Sequence, residues 1–283
     1  VDRVLFADFE CSIDPLTGEH RFMSFGLFDV PTCEYFTGLS IEGFMDILIR
    51  KSREGKHLKV YFHNAMGYDA NFILRYILSD DEKFGRWGIQ TIMKSSSRLE
   101  KLSFSFYAPD LGTTKNRKRI IEIGDTFRFI SMSLDKIVKS VKTDSVEENK
   151  KIFPYFFETL AKAYPSVSDE EINSILKKNL FPYNFFRSRS DLSVSMSFFQ
   201  NMFAPLTANL VNFAEGVTVA DLAANRPHFD SIVKTFNCRT AGDYHDLYLL
   251  CDVMQITDVF LHMRETFKKH QKVDLLNYIG LPA

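Results

Sequence analysis

The order of strand and helix patterns constrains the fold of this chain more than any other sequence feature. Strand-like runs alternate with amphipathic helical runs through the first half, and a long helical pattern closes the chain. The strand-like runs are Arg3 to Phe9, Arg21 to Val30, Glu34 to Thr37, Lys59 to His63, Ile89 to Tyr107 and Arg119 to Phe129. The helical runs are Ile41 to Arg50 with Ser40 as N-cap, Asp69 to Leu78, Ser133 to Val141 and Asp243 to Lys269. This order predicts an α/β fold, a mixed sheet flanked by helices.

The region from about 143 to 235 has a different character. Its pattern is irregular and mostly helical, and prolines interrupt it repeatedly. We interpret it as a helical insertion before the last helix. We therefore expect residues 1–283 to form one domain. Because the chain opens on Val rather than Met and Val4 already begins a core strand, we expect it to be a fragment of a longer protein.

The composition limits the binding partners and cellular compartments expected for the chain. The formal net charge is −1, so no global basic field of the kind found in tight duplex binders is present. No run of about 18 apolar residues occurs, which predicts no membrane partner. The four cysteines form no CxxC pair and suit a reducing compartment inside a cell. These features leave open the nucleus, the cytoplasm and a viral or transposon replication site.

A basic turn follows the β-rich run that ends at Tyr107. The segment Leu111 to Lys118 reads as a hairpin tip, and Lys115, Arg117, Lys118 and Arg119 make it basic. A solvated turn is the favoured interpretation, with a phosphate contact or a nuclear signal as alternatives.

Two carboxylates lie two residues apart at the end of the first strand-like run. Residues at this spacing in a strand point to the same face, so Asp8 and Glu10 can hold one cation between them. An Asp-x-Glu sequence is also common where an ordinary strand passes into a turn.

A third carboxylate, Asp69, stands where a strand leads into a helix. The sequence from His63 to Asp69 is HNAMGYD. The junction between the C-terminal end of a strand and a helix N-terminus is the usual place for ligand chemistry in α/β sheets. The alternative is that Asp69 only caps the helix and that Gly67 only serves the turn.

The fourth carboxylate belongs to the last helix. Tyr248 and Asp252 are four residues apart, so they lie on one helix face about a turn from each other. An Asp beside the apolar residues of this helix is costly unless it is paired or bound to a metal.

The four carboxylates and the tyrosine together match one chemistry. Carboxylates that hold two hard cations can activate a water and stabilise the leaving oxygen of a phosphodiester. The Tyr248 hydroxyl would orient the water. Leu247 occupies the position five residues before Asp252, so the variant of this site that uses a histidine there is not expected.

These motifs resemble those of the DEDDy group of 3′→5′ exonucleases, which have an RNase H-like fold. The amino-acid sequences of several segments are similar to segments of protein-primed family B DNA polymerases, most closely those of Maverick/Polinton transposons and their viral relatives. The segments are His63 to Asp69, Ile123 to Phe129 with Ser133-Leu134, Phe181-Pro182-Tyr183, and Asp243 to Val253. The palm and fingers motifs of such polymerases do not occur in this chain.

The resemblance implies roles for further residues. Asn64, Tyr68, Ser133 and Leu134 match positions that contact the single-stranded 3′ end. Lys178 matches a lysine that supports the metal-bound Asp and the scissile phosphate, and adjacent Lys177 is the alternative. From spacing alone these are an ordinary turn Asn, a helix N-cap Ser and a surface Lys.

The resemblance implies a proofreading exonuclease with two Mg²⁺ or Mn²⁺ ions as cofactors. The implied catalytic residues are Asp8, Glu10, Asp69, Asp252, Tyr248 and Lys178, of which the four carboxylates are the metal ligands. The implied partners are a single-stranded DNA 3′ end, the polymerase domain of the same parent chain and a terminal protein. Two alternatives are a stand-alone DEDDy nuclease acting on DNA or RNA, and a catalytically silent RNase H-like module that binds nucleic acid.

Overall fold

A seven-stranded mixed sheet runs through the computed structural model, which describes residues 3–14, 17–55, 57–95 and 98–281. Its strand order is β3-β2-β1-β4-β7-β6-β5. The strands are β1 (Arg3–Ile13), β2 (His20–Asp29), β3 (Glu34–Gly38), β4 (His57–Phe62), β5 (Gly88–Ser95), β6 (Arg98–Pro109) and β7 (Asn116–Asp125). Strands β1, β4 and β7 are parallel, and the remaining neighbours pair antiparallel.

Helices flank this sheet. They are α1 (Ile41–Ser52), α2 (Asp69–Ser79), α3 (Asp81–Phe84), α4 (Leu134–Val141), α5 (Val146–Ile152), α6 (Pro154–Ala163), α7 (Asp169–Ser174), α8 (Met196–Phe199), α9 (Val219–Thr235) and α10 (Ala241–Gln271). Helices α5 to α9, joined by short 3-10 turns, form the helical insertion before α10. The arrangement confirms the predicted α/β fold of the RNase H-like type.

The two faces of β1 pack into different hydrophobic cores because its side chains alternate. Leu5, Ala7 and Phe9 face the core shared with α1 and α2. Val4 and Phe6 face the core shared with α10 and the insertion. Asp8 continues the second series, so it points to the side from which α10 approaches.

Helix α10 crosses the sheet over β1 and β2. Phe260 anchors it, with ring centroids 5.7 Å from Phe6 and 4.7 Å from Tyr61. Thr240 caps its N-terminus and forms a capping box with Asp243. Because the helix lies directly on β1, residues on its inner face reach the side chains of that strand.

Several element boundaries differ from the sequence prediction: the run Ile89 to Tyr107 contains two strands, β5 and β6, and the largest shifts of an end are those of β1 and β7. Strand β1 continues to Ile13 instead of ending at Phe9, because it pairs with β2 up to His20 through a register shift after Glu10. Asp8 and Glu10 therefore lie within a strand and not at its end. Strand β7 ends at Asp125 because a 3-10 turn, Thr126–Arg128, follows immediately.

The basic turn is less solvated than predicted. Arg119 is fully buried, and its guanidinium donates to the carbonyls of Ala108 and Gly55 and to Asp110. Arg117 also pairs with Asp110, at 3.1 Å. These two arginines hold the base of the hairpin, whereas Lys115 and Lys118 are exposed.

Asp258 of α10 caps a helix of the insertion. Its carboxylate accepts the N–H groups of Tyr155 (3.1 Å) and Phe156 (2.8 Å) in the first turn of α6, where Pro154 supplies no donor. The side chain is buried, so no water can replace it as acceptor.

We expect Asp258→Ala to lower the free energy of unfolding by about 2–3 kcal/mol, because it leaves two buried donors unsatisfied. Asp258→Asn should cost roughly half as much, since its amide oxygen can still accept one N–H. Chemical denaturation of both variants measures the difference. Equal stability of Asp258→Ala and the wild type would show that the cap contributes nothing.

In the described part of the chain, no helix combines the length and the apolar character needed to cross a membrane.

Candidate metal-binding active site

Asp8 and Glu10 form one wall of the candidate site. The two-residue spacing places both on the β1 face that meets α10, before the register shift that follows Glu10. Glu10 is buried, and Asp8 is partly exposed. The strand thus holds both carboxylates on rigid backbone.

Asp252 forms the opposite wall. It lies on the inner face of α10 and is only 5% exposed. One carboxylate oxygen from each of Asp8, Glu10 and Asp252 lies within 4.8 Å of the other two. The predicted convergence of these three residues is present in the structure.

Asp69 stands beside this group as the first residue of α2. Tyr68, not Asp69, occupies the N-cap position. Asp69 is buried. It lies close enough to Asp8 for the charge of that carboxylate to raise the pKa of Asp69. Asp69 therefore belongs to the same group of buried carboxylates.

The four carboxylates are held in an unfavourable electrostatic environment. Burial raises the pKa of Asp8 to about 8, with the charge of Asp252 adding to the effect and Lys178 opposing it. Burial, followed by the charge of Asp8, also raises the pKa of Glu10 and of Asp69 well above their usual range. Burial raises the pKa of Asp252, and Lys178 and Tyr248 moderate the shift. Perturbation of this kind is characteristic of functional sites.

Of the two candidate lysines, Lys178 is the one beside the carboxylates. Its ammonium lies 6.0 Å from the ring centroids of Tyr183 and Tyr248. Desolvation disfavours its charge, but Asp252 and Tyr183 outweigh that effect and raise its pKa. Lys177 instead lies near Lys139 and Lys142.

Tyr248 places its hydroxyl at the edge of the carboxylate group. It bonds to Asp252 and lies 2.6 Å from the hydroxyl of Tyr183. Burial, then the charge of Asp252, raises the pKa of Tyr248 well above its usual range, so the hydroxyl keeps its proton. Its ring stacks on Phe181 at 4.3 Å.

Tyr183 is a site residue to which sequence reasoning assigned no role. It sits in a 3-10 turn, Tyr183–Phe185, that packs against β1. Burial raises its pKa to about 12, so it too stays protonated at neutral pH. Its place in the Phe-Pro-Tyr motif was the one available signal.

Asn64 and Tyr68 lie on either side of the 3-10 turn that precedes Asp69. Asn64 is exposed and has a left-handed backbone conformation, with φ of 71°. The Tyr68 hydroxyl bonds to Nδ1 of His20 on the adjacent hairpin. Tyr68 is partly exposed and lies near Glu10 and Asp69.

Asp125 fixes the shape of this turn. Its carboxylate accepts the N–H groups of Asn64 (2.8 Å), Met66 (3.2 Å) and Phe127 (3.0 Å). Because this buried carboxylate accepts from three backbone donors, it holds the turn in place and thereby sets the position of Asp69. Asp125 belongs to one of the motifs found in the sequence, but the sequence did not predict this structural role.

Ser133 and Leu134 lie farther along, at the start of α4. Ser133 is exposed at the N-cap position, and its hydroxyl makes no capping bond. Leu134 is 7% exposed and belongs to the core on the α10 side.

The donor set fits divalent cations. Four neighbouring carboxylates face one nearby cationic side chain, Lys178, so their charges are not balanced by protein groups in the described part of the site. Hard cations such as Mg²⁺ and Mn²⁺ prefer carboxylate oxygens. Positive charge bound here would relieve the repulsion that raises the carboxylate pKa values.

We expect the metal-free protein to lose stability as pH rises from about 4 to about 8. Over this range the folded carboxylates, whose pKa values are raised, bind more protons than the unfolded chain does, so unfolding becomes more favourable. A divalent cation should remove this penalty, and the increase in Tm that Mn²⁺ causes should grow between about pH 6 and pH 8.

Thermal unfolding with EDTA or with Mn²⁺ measures both effects. Asp8→Asn is the matched control, because it retains the shape of the side chain and removes its titration. If the wild type and Asp8→Asn show the same pH dependence, Asp8 is not a source of the penalty.

Comparisons with known proteins give weak matches. No protein-family model matches the chain, and no curated protein matches it. Among solved structures, Phi29 DNA polymerase complexed with single-stranded DNA is 20% identical, with a TM-score of 0.38, over 49% of this chain and 23% of that one. Its post-translocation binary complex with primer-template DNA is 14% identical, with a TM-score of 0.37, over 72% of this chain and 39% of that one.

The ternary complex of the same polymerase with primer-template DNA and incoming nucleotides is 14% identical, with a TM-score of 0.36, over 72% of this chain. The matched regions make up 23–39% of the polymerase chains. At these identities and TM-scores, the likeness establishes neither a family nor an activity for this chain.

Proposed function

We propose that this chain is a metal-dependent 3′→5′ exonuclease that removes nucleotides one at a time from single-stranded 3′ ends. The observation that carries the proposal is the approach of Asp8, Glu10 and Asp252 to within 4.8 Å, with Asp69, Tyr248 and Lys178 beside them. Carboxylates grouped with a neutral tyrosine and a lysine suit phosphodiester hydrolysis.

Asp8, Glu10 and Asp252 would hold one Mg²⁺ or Mn²⁺ ion, and Asp8 with Asp69 a second. When bound, such ions act as Lewis acids that stabilise the charge developing on the phosphate and make water a better nucleophile. The protein contributes the rigid placement of these oxygens on β1, α2 and α10.

The remaining side chains position the reactants. The protonated Tyr248 hydroxyl, supported by Tyr183, holds the attacking water in line with the scissile bond. The ammonium of Lys178 offsets negative charge on the scissile phosphate. Water adds to phosphorus as the bond to the 3′ oxygen breaks, which releases a 5′-mononucleotide. Asn64 and Tyr68 would hold the 3′-terminal nucleotide, with exposed Ser133 as a further contact and Leu134, which is buried in the core, supporting the start of α4.

The wider role that we propose is proofreading within a protein-primed family B DNA polymerase. The order of the motifs along the chain and their amino-acid sequences support it. The polymerase domain of the parent chain and a terminal protein would then be partners.

Digestion of a labelled single strand tests the function. With Mg²⁺, a 3′-labelled DNA oligonucleotide should release labelled mononucleotide first, and EDTA should stop the release. An RNA strand of the same sequence in parallel distinguishes a DNA exonuclease from a nuclease of broader specificity. Absence of cleavage of both strands, with DNA binding retained, would favour the silent binding module.

We expect frayed 3′ ends to be digested about tenfold faster than blunt duplex, with little dependence on sequence. Partly exposed aromatic groups such as Tyr68 can stack on any base, whereas a paired end must first separate its terminal bases. Initial rates on matched single-stranded, frayed and blunt substrates measure the preference. Equal rates on all three would contradict it.

A further inference from the structure

A groove of about 300 Å³ opens between α4 and the insertion, next to the candidate site. The volume is at the lower end of those that hold small ligands, so it has room for about one nucleotide unit at a time. Lys178 and Tyr183, which belong to the candidate site, form its inner end. Asp135 and Lys139 of α4 and Asn225 of α9 also line the groove, together with Asn179 and the apolar residues Leu180, Phe181, Ala214 and Val217.

Positive charge accumulates around this groove although the whole chain carries a net charge of −1. Lys177 and Lys142 lie close enough to lower the pKa of His228 to about 4, after the larger effect of burial. Lys139 likewise contributes to the lowered pKa of Lys177, again after burial. Among the acidic groups near these lysines are Asp135, which pairs with Lys139 at 2.7 Å, and Asp144, which lies near Lys142.

Two neutral residues, Asn179 in the lining of the groove and His228 bonded to it, add hydrogen-bonding groups. His228 is uncharged at neutral pH and donates from Nε2 to Oδ1 of Asn179 at 2.9 Å. That bond occupies the acceptor oxygen of Asn179, which lines the groove, so the side chain offers a ligand its NH₂ donor. Lysine ammonium and amide N–H groups together are the usual ligands of phosphate.

We propose that this groove binds the phosphodiester backbone of the substrate strand, upstream of the bond that the carboxylates cleave. The proposal rests on the proposed nuclease function for the direction of the strand. It extends the interface from α2, where Asn64 and Tyr68 lie, to α4 and the insertion. Lys139, whose side chain is 66% exposed, exchanges its partner Asp135 for phosphate at little cost, because a surface pair of this kind is weak.

Equilibrium binding in EDTA tests the proposal without requiring cleavage. The probes are fluorescein-labelled oligo-dT strands of about 12 nucleotides and of two nucleotides. The variant Lys139→Ala/Lys177→Ala should bind the 12-nucleotide strand about tenfold more weakly and show a shallower salt dependence, since fewer counterions are released. Binding of the dinucleotide should change by less than twofold.

Two controls separate the groove from general effects. Lys162→Ala/Lys269→Ala removes the same charge from exposed positions on α6 and α10 and should leave binding unchanged. Asp135→Asn should tighten binding of the 12-nucleotide strand severalfold, an effect of opposite sign that misfolding cannot produce.

The outcomes are distinct. Unchanged binding of the 12-nucleotide strand by the lysine variant overturns the proposal. A loss of affinity confined to the dinucleotide or to added dTMP also overturns it, because the groove would then bind the released product. Strand binding that depends on the groove, in a protein that cleaves nothing with Mg²⁺, would support the groove and overturn the nuclease function.

Discussion

Asp252→Asn should lower the single-turnover rate of 3′-end cleavage by about a thousandfold or more. Asparagine keeps the shape of the side chain but removes the charge that would hold a cation against Asp8 and Glu10. Loss of several kcal/mol of transition-state stabilisation corresponds to a change of this size. Alanine at Asp8, Glu10, Asp69 or Asp252 should have the same consequence.

The fold should survive these substitutions. In the metal-free protein, the loss of one of four mutually repelling carboxylates should raise Tm at neutral pH. Glu265→Gln, on the same helix with a side chain that is 70% exposed, is the matched control and should cleave at the wild-type rate. A carboxylate variant that digests DNA within about twofold of the wild-type rate would show that its residue is not a metal ligand.

Tyr248→Phe should reduce the cleavage rate by about tenfold to a thousandfold while leaving DNA and metal binding nearly intact. The phenylalanine ring can still stack on Phe181, so only the bonds of the hydroxyl to Asp252 and Tyr183 are lost. Water positioning by one hydrogen bond corresponds to roughly 1.4–4 kcal/mol of barrier. Single-turnover kinetics measure the change.

Tyr244→Phe is the internal control for this experiment. Tyr244 is buried one turn earlier, and its hydroxyl donates to the carbonyl of Leu180 at 2.8 Å. Its loss should cost about 1 kcal/mol of stability and leave the rate unchanged. If Tyr248→Phe is as fast as Tyr244→Phe and the wild type, Tyr248 has no part in catalysis.

Periodicity in the sequence predicted the faces on which the central residues of the site lie, and the combined order of the motifs predicted that they meet. The two-residue spacing of Asp8 and Glu10 set a common face, and the four-residue spacing of Tyr248 and Asp252 set a common helix face. The apolar residues that surround them dictated that these two faces meet. Both patterns depend on local geometry, which a sequence records directly.

Contacts made by irregular segments could not be predicted in this way. Tyr183 reaches Tyr248 from a 3-10 turn without periodicity, and whether Lys177 or Lys178 points to the carboxylates depends on packing of the insertion. The length of β1 depends on its pairing with β2, which is a tertiary interaction. Asp258 likewise caps α6 from a distance of about a hundred residues along the chain.

The central claim is that the carboxylates of β1, α2 and α10 bind divalent cations for hydrolysis. Anomalous scattering from crystals of the protein soaked in Mn²⁺ tests it most directly. We predict one Mn²⁺ among Asp8, Glu10 and Asp252 and a second near Asp8 and Asp69, with both lost in Asp8→Asn. Crystals that contain no Mn²⁺ among these carboxylates, at concentrations that support the activity of metal-dependent nucleases, would contradict the account.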